Sequence, residues 1–328
     1  MTPLISLTAT NYLHLMLFIF FFIPFLFTIF AMPYIITKLK KNGHVVKDMY
    51  KTEMPLIPTQ GGLVILLIAI FSLSILTLFY SKNVTAINYT IIVVVVLFAL
   101  FGLLDDLVNI GRPAKLILLY YCSYPLIPFI ITTTILFPGI GSVDFSILYL
   151  QLIIPTYVPV VANLVNMHSG FNGLAPGLSL MILVTLLVKA FFHGDIFNSL
   201  FILCLTGALT GYFWFEKFPS RIFWGNIGAL SVGAAIGAMI VTHGFIVSGF
   251  IMLIPHTINF LLYIYWRLKK YPTAKFGKVR DDGTLEVPNP LTLKWILPYY
   301  FRVTEKTAGR AMFAVTGIFC LIGFIIPG

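Results

Sequence analysis

Apolar stretches about 20 residues long recur along most of the chain, and no other feature constrains its fold as strongly. A hydrocarbon core about 30 Å thick is crossed by roughly 20 helical residues. Ten stretches are read as spans, at about 13–36, 61–80, 90–104, 115–137, 147–165, 174–192, 196–215, 227–242, 245–266 and 307–326. The expectation is an all-α integral membrane protein, a bundle of about ten transmembrane helices, with residues 1–328 as a single polytopic domain. Composition agrees, because 59% hydrophobic and only 10% charged residues could not cover the surface of a soluble domain. The first run is about 24 residues with no small-residue cleavage site after it, so it reads as a retained span. Cys122, Cys204 and Cys320 lie in apolar runs without paired spacing and read as buried thiols.

The basic residues set an orientation. Lys38, Lys40, Lys41, Lys47 and Lys51 follow the first span, Arg112 and Lys115 the third, and Lys217 and Arg221 the seventh. With those from Arg267 to Arg310, 19 of the 21 Lys and Arg fall on one side, leaving only Lys82 and Lys189 outside the set. The positive-inside rule makes that side cytoplasmic and puts both termini opposite. The cytoplasmic loops are then about 38–60, 105–114, 166–173, 216–226 and 267–306. This asymmetry accounts for the net charge of +10, so nucleic acid is not an expected partner. Loops on the other side, such as Phe192 to Asp195, are short and plain, and Asp144 reads as a solvated turn residue.

Polar motifs collect on the cytoplasmic side. Asp105 and Asp106 end an apolar run, with Arg112 and Lys115 within ten residues. An ionised Asp at the centre of a membrane helix costs roughly 2.5–3.5 kcal/mol, so a tandem pair at a boundary reads as a cation site. The bland alternative is a pair of loop charges flanking a span. The other loops supply Pro58 to Gly62, the amide-rich run from Asn163 to Leu174, and Phe218 to Gly228. Carboxylates, amides, glycine turns and Lys/Arg at one surface suit a metal-bound pyrophosphate, with Mg²⁺ preferred and Mn²⁺ able to substitute. Apolar grooves between spans would take a lipid tail, which implies phosphoryl transfer from a nucleotide-activated donor to a lipid acceptor.

Four motifs in order carry a resemblance: Pro-x-Gln-Gly-Gly at 58–62, Asp-Asp with a downstream Lys at 105–115, Asn-x-x-Asn…Gly-x-Asn-Gly-Leu at 163–174, and Pro-Ser-Arg-Ile-Phe-x-Gly at 219–225. Across almost its whole length the chain resembles the polyprenyl-phosphate N-acetylhexosamine-1-phosphate transferases, more their eukaryotic and archaeal branch than the bacterial one. That resemblance implies transfer of HexNAc-1-phosphate, with GlcNAc-1-phosphate favoured, from a UDP-HexNAc to a polyprenyl or dolichyl phosphate, releasing UMP. It implies that Asp105 and Asp106 lie beside the metal and the acceptor phosphate and that Lys115 contacts the donor pyrophosphate. Asn166 would help hold Mg²⁺, Asn172 and the neighbouring Gly173 would read the uracil, and Phe223 would stack on it. Arg221 joins the substrate-binding set through its motif, and Lys278 and Arg280 are carried over from the last loop, which lacks the family's histidine. Position 226 would be the main metal ligand, where the family has Asp and this chain has Asn226.

Each residue also has a structural reading. Asn166 and Asn172 can cap helix ends and turns. Phe223 can be an interfacial aromatic, and the basic last loop a surface for anionic lipid. His168 and His256 read as packing residues. Two rival functions are an ion-coupled transporter using Asp105 and Asp106, disfavoured because no repeat is visible, and a prenyltransferase, disfavoured because Asn109 breaks the required Asp box. A catalytically impaired family member is a further alternative, raised by Asn226. The expected location is a prokaryotic, archaeal-type cell membrane, or the endoplasmic reticulum in a eukaryote, and a homodimer is compatible with either.

Overall fold

The computed structural model describes residues 3–108, 112–130, 132–270, 274 and 276–327, without the side chains of 3–10 and 112–116. In chain order the helices are α1 (Pro3–Lys41), α2 (Gly61–Tyr80), α3 (Ala86–Val108), α4 (Arg112–Cys122), α5 (Ser146–Leu148), α6 (Ile154–Met167) and α7 (Leu174–Phe192). They continue with α8 (Leu200–Glu216), α9 (Gly225–Thr242), α10 (Ile246–Met252), α11 (Ile254–Leu268), α12 (Leu293–Tyr300) and α13 (Glu305–Ile325). A π turn joins α5 to α6 as one stretch, Ser146–Met167. Three antiparallel hairpins punctuate the loops: β1 (Val45–Lys47) with β2 (Leu56–Pro58), β3 (Thr134–Phe137) with β4 (Gly141–Asp144), and β5 (Lys278–Val279) with β6 (Leu285–Glu286).

The chain is a multi-pass, all-α membrane protein. Among the described residues eight helices are long and apolar enough to cross a bilayer, or nine if α10 and α11, bent by 63°, are one broken span. The bend falls where Pro255 opens α11 without an N–H to continue the ladder. The span expected at 115–137 is not one helix. Pro125 and Pro128 reduce the chain after Cys122 to a short 3₁₀ turn, Tyr124–Phe129, and the rest of the stretch runs into the β3–β4 hairpin. Among the described residues, then, eight or nine of the ten expected spans are seen. The third and eighth spans are longer than expected, so Asp105 and Asp106 lie in the last turn of α3 and Asn226 in the first turn of α9.

Phe30, Leu67, Leu78, Leu321 and Ile325 point outward, which is natural where the surrounding solvent is hydrocarbon. At the centre is α9, buried continuously from Ile227 to Val241 and packed by α2, α3 and α6. Small residues allow this approach. A Cβ at Gly62 of α2 would lie 2.2 Å from the Gly228 Cα, and one at Gly102 of α3 would lie 2.8 Å from the Asn226 carbonyl oxygen. Both contacts sit directly beside the polar end of the bundle. A second apolar cluster, including Tyr50, Phe171, Trp266, Leu285 and Trp295, binds the long last loop to the first.

Candidate active site

Two of the sequence motifs are joined through their backbones. Helix α2 begins without a side-chain cap after Gln60, which adopts a left-handed φ of 70°. Its first orphan N–H groups are satisfied from another loop: Gly61 donates to the Phe223 carbonyl at 3.0 Å and Gly62 to that of Trp224 at 2.9 Å. In return the Phe223 N–H donates to the Pro58 carbonyl at 2.8 Å. This clip fixes the strand of chain that leads into Gly225 and Asn226.

The third motif meets the clip there. Two carboxylates in the last turn of a helix oppose the negative end of its dipole. Asn226 compensates: its Nδ2 donates to Asp106 Oδ1 at 2.7 Å and to Asp105 Oδ2 at 3.4 Å. The N-terminal end of α9, with the positive end of its dipole, is thereby set against the pair. Gly225, at φ 70°, holds the turn, and a Cβ there would approach Asp106 Oδ2 to 3.4 Å.

A cleft of about 360 Å³ opens beside this junction and is lined by Asp106, Asn166, Phe223 and Asn226 together with Asp48 and Glu216. Asn166 belongs to the final turn of α6, and its carbonyl accepts the Ser169 hydroxyl at 2.9 Å, which shapes the following loop. The structure thus gathers Asp105, Asp106, Asn166, Phe223 and Asn226 from three motifs. Among the described residues no group of three or more His, Cys, Asp or Glu could hold a metal. The donors are two carboxylates and two amides, a hard, all-oxygen set that fits Mg²⁺, which takes one or two protein carboxylates and completes its shell with substrate phosphates and water.

The remaining sequence candidates are placed differently. The side chain of Lys115 lies outside the described residues. Asn172 is buried with both ends of its amide engaged: Nδ2 donates to Asp48 Oδ2 at 3.1 Å and Oδ1 accepts the Ser220 N–H at 3.0 Å. Gly173, at φ 68°, lies against Lys217, whose Cα would be 2.8 Å from an added Cβ. Arg221 is exposed with its guanidinium 4.6 Å from the Phe215 ring centre, and it does not line the cleft. Lys278 and Arg280 belong to the β5–β6 hairpin, where Arg280 Nη1 donates to the Leu285 carbonyl at 2.5 Å. Neither of these two lines the cleft.

Sequence reasoning missed the brace behind the cleft. Lys51 Nζ lies 2.5 Å from Glu305 Oε2 and 3.3 Å from Asp48 Oδ2, and Glu305 Oε1 accepts the Asn172 N–H at 2.6 Å. Asp48 and Glu305 are 3% and 4% exposed, so this is a buried network that ties the first loop, the 166–173 loop and the start of α13 together. Nothing in the local sequence marks Asp48 or Lys51. Glu216 had a signal, as a lone carboxylate closing an apolar run; it lines the cleft and accepts the Tyr212 hydroxyl. From the last loop, Trp295 Nε1 donates to Tyr50 Oη at 3.0 Å, and burial pushes the Tyr50 hydroxyl up to about 12. Lys294 Nζ donates to the Ser169 carbonyl at 2.5 Å, and burial lowers its ammonium to about 8 against the opposing pull of Glu305. Burial likewise holds His168, which packs edge-on to His256 at 4.6 Å, well below its ordinary value.

A membrane bundle with an acidic, amide-rich cleft at one face is the architecture of an intramembrane enzyme acting on a lipid. The sequence model of Glycosyl transferase family 4 matches residues 88–244, the part that carries Asp105, Asp106, Asn166, Phe223 and Asn226. A Saccharolobus solfataricus protein provisionally named as a UDP-N-acetylglucosamine–dolichyl-phosphate N-acetylglucosaminephosphotransferase is 32% identical over 93% of this chain and 94% of its own. A protein of the same name from Sulfolobus acidocaldarius is 29% identical over 82% and 84%. The phospho-N-acetylmuramoyl-pentapeptide-transferase of a Wolbachia species is 32% identical over 66% and 72%. The chain belongs to glycosyl transferase family 4, and it is a phosphotransferase of that family.

Proposed function

We propose that the protein transfers HexNAc-1-phosphate, with GlcNAc-1-phosphate as the first candidate, from a UDP-sugar to a polyprenyl or dolichyl phosphate, releasing UMP. The observation that carries this reading is the junction of Asp105, Asp106 and Asn226 at the mouth of a cleft, in a chain whose relatives along nearly its full length are named for that reaction. An acceptor phosphate oxygen bonds to the sugar-linked phosphorus of the donor, and the bond from that phosphorus to the oxygen bridging it to the uridylyl phosphate breaks. The products are UMP and a lipid-pyrophosphate-sugar. A phosphomonoester has its second pKa near 6, so the acceptor arrives largely dianionic at neutral pH and needs no strong base. Positioning and charge neutralisation therefore dominate the barrier.

In this reading Asp105 and Asp106 orient the reacting phosphates, and Phe223 offers its half-exposed ring to the uracil. Asn172 and Gly173 act through the shape of the loop they hold. Mg²⁺, held by Asp105, Asp106, Asn166 and Asn226, would supply neutralisation of phosphate charge. Asn226 brings no charge of its own and directs its amide N–H groups at the carboxylates, so this chain turns over more slowly than one with Asp at that position. The concentration of basic residues on the loops around the cleft supports a cytoplasmic active site in a cell membrane. Incubating the purified protein with a panel of UDP-sugars, polyprenyl phosphate and Mg²⁺ and measuring UMP tests the proposal. Release restricted to UDP-HexNAc donors supports it, and no release with any donor contradicts it.

A further inference from the structure

A second groove, of about 210 Å³, lies between the end of α8 and the start of α13 at the same membrane face. Three cations line it: Lys217, Lys306 and Arg310. None of them is in an ion pair among the described residues, while the Glu305 carboxylate beside them is committed to Lys51. On α13, Lys306, Arg310 and Phe313 recur at helical spacing and share one face. With a rise of about 1.5 Å per residue, Arg310 lies about 6 Å and Phe313 about 10 Å deeper along the helix axis than Lys306. Charge at the surface therefore gives way to aromatic surface within the bilayer, where Phe213 of α8 faces Phe313 at 6.4 Å. Gly309, on the same face, leaves the groove open, since a Cβ there would meet nothing within 4 Å.

We propose that this groove is a binding site for an anionic bilayer phospholipid, with its phosphate among Lys217, Lys306 and Arg310 and an acyl or isoprenoid chain along Phe213 and Phe313. The order of cation, gap and aromatic along α13 matches the order of headgroup and chain in such a lipid, and three accessible cations with no ion-pair partner among the described residues attract an anionic headgroup. The occupant is a structural lipid rather than the acceptor substrate. The groove and the catalytic cleft share no lining residue, and the buried Asp48–Asn172–Glu305 network stands between them. Because Asn172 and Glu305 line the groove and Asn172 is hydrogen-bonded to Asp48 in the cleft, the bound lipid braces the first turn of α13 behind the cleft.

The test uses the full chain in vesicles of phosphatidylcholine doped with phosphatidylglycerol, with retained lipid counted by native mass spectrometry. Lys306→Gln/Arg310→Gln removes the charge, and Gly309→Leu fills the groove while leaving every cation in place. Lys82→Gln, on a distant exposed loop, is the control. Phosphatidylglycerol retention should fall at least about tenfold in both groove variants and stay unchanged in the control. Equal retention in wild type and both groove variants would overturn the site. Displacement of phosphatidylglycerol by equimolar polyprenyl phosphate would overturn the choice of occupant and assign the groove to the acceptor. Neither readout depends on turnover, so failure here is separable from failure of the proposed reaction.

Discussion

Two polar clusters sit at the same end of this bundle and differ in almost every physical respect. The Asp105–Asp106–Asn226 cluster is half-exposed, faces an open cleft, and is assembled at the end of one central helix and the start of another. The Asp48–Lys51–Asn172–Glu305 cluster is largely buried, is knit together by hydrogen bonds and ion pairs within the protein, and joins segments more than 250 residues apart. The first borders a space that a ligand can enter, and the second holds loops in place. A chemical role for the first and a structural role for the second should separate under mutation.

The largest effect is expected at the carboxylate pair. Asp105→Asn or Asp106→Asn should lower UMP release by about a thousandfold, equivalent to about 4 kcal/mol of barrier, with an unchanged melting temperature in detergent. Removing like charge from the end of α3 relieves an unfavourable interaction with the helix dipole, so loss of stability would count against the chemical assignment. The converse is expected for Glu305→Ala. Taking one of two buried carboxylates from Lys51 and the acceptor from the Asn172 N–H should destabilise the fold by about 3 kcal/mol in reversible unfolding, while UMP release per folded molecule falls far less than at the Asp pair.

Phe223→Ala should weaken UMP binding by about 1–3 kcal/mol in calorimetry, the range of base stacking. An unchanged affinity would leave Phe223 as an interfacial aromatic. Asn226→Asp should strengthen binding of Mn²⁺, followed by its paramagnetic resonance signal, by about tenfold, and raise Mg²⁺-dependent turnover in parallel. A folded Asn226→Asp protein with wild-type ion affinity would remove position 226 from the ion site.

The smallest effect concerns Lys294. Its ammonium titrates near 8 in the folded protein, against an ordinary value of 10.5, because burial disfavours the charged form. Below about pH 8 the charge opposes folding, and from there to about 10.5 the unfolded chain binds the extra proton, so stability rises with pH across that window. Lys294→Met should abolish this alkaline rise in melting temperature. A rise that persists in the variant would place its origin elsewhere.

The contrast between the clusters also explains what could be read in advance. The spans were legible because apolar length is a local property, and eight of them reappear within about five residues at each end. The region 115–137 misled because its apolar content suits a span while Pro125 and Pro128 forbid a continuous helix. Asp105, Asp106 and Asn226 stood out because carboxylates and amides at the ends of apolar runs are conspicuous. The pairing of Asn226 with both carboxylates was not legible, since nothing in a linear sequence sets α3 against α9. The brace was invisible for the same reason in stronger form: Asp48, Lys51 and Glu305 are ordinary surface residue types, and only the fold buries them together. Asn172 stood in a recognisable motif, yet its side chain belongs to the brace.

The most direct measurement follows the donor's phosphorus. Purified protein in vesicles with polyprenyl phosphate and Mg²⁺ is given UDP-GlcNAc labelled at the sugar-linked phosphorus. The account predicts that the label moves into the lipid phase in equal amount to unlabelled UMP in the aqueous phase, and that Asp105→Asn abolishes both. Label that stays in water-soluble product while UMP is released, or label transfer that survives Asp105→Asn and Asp106→Asn, would contradict it.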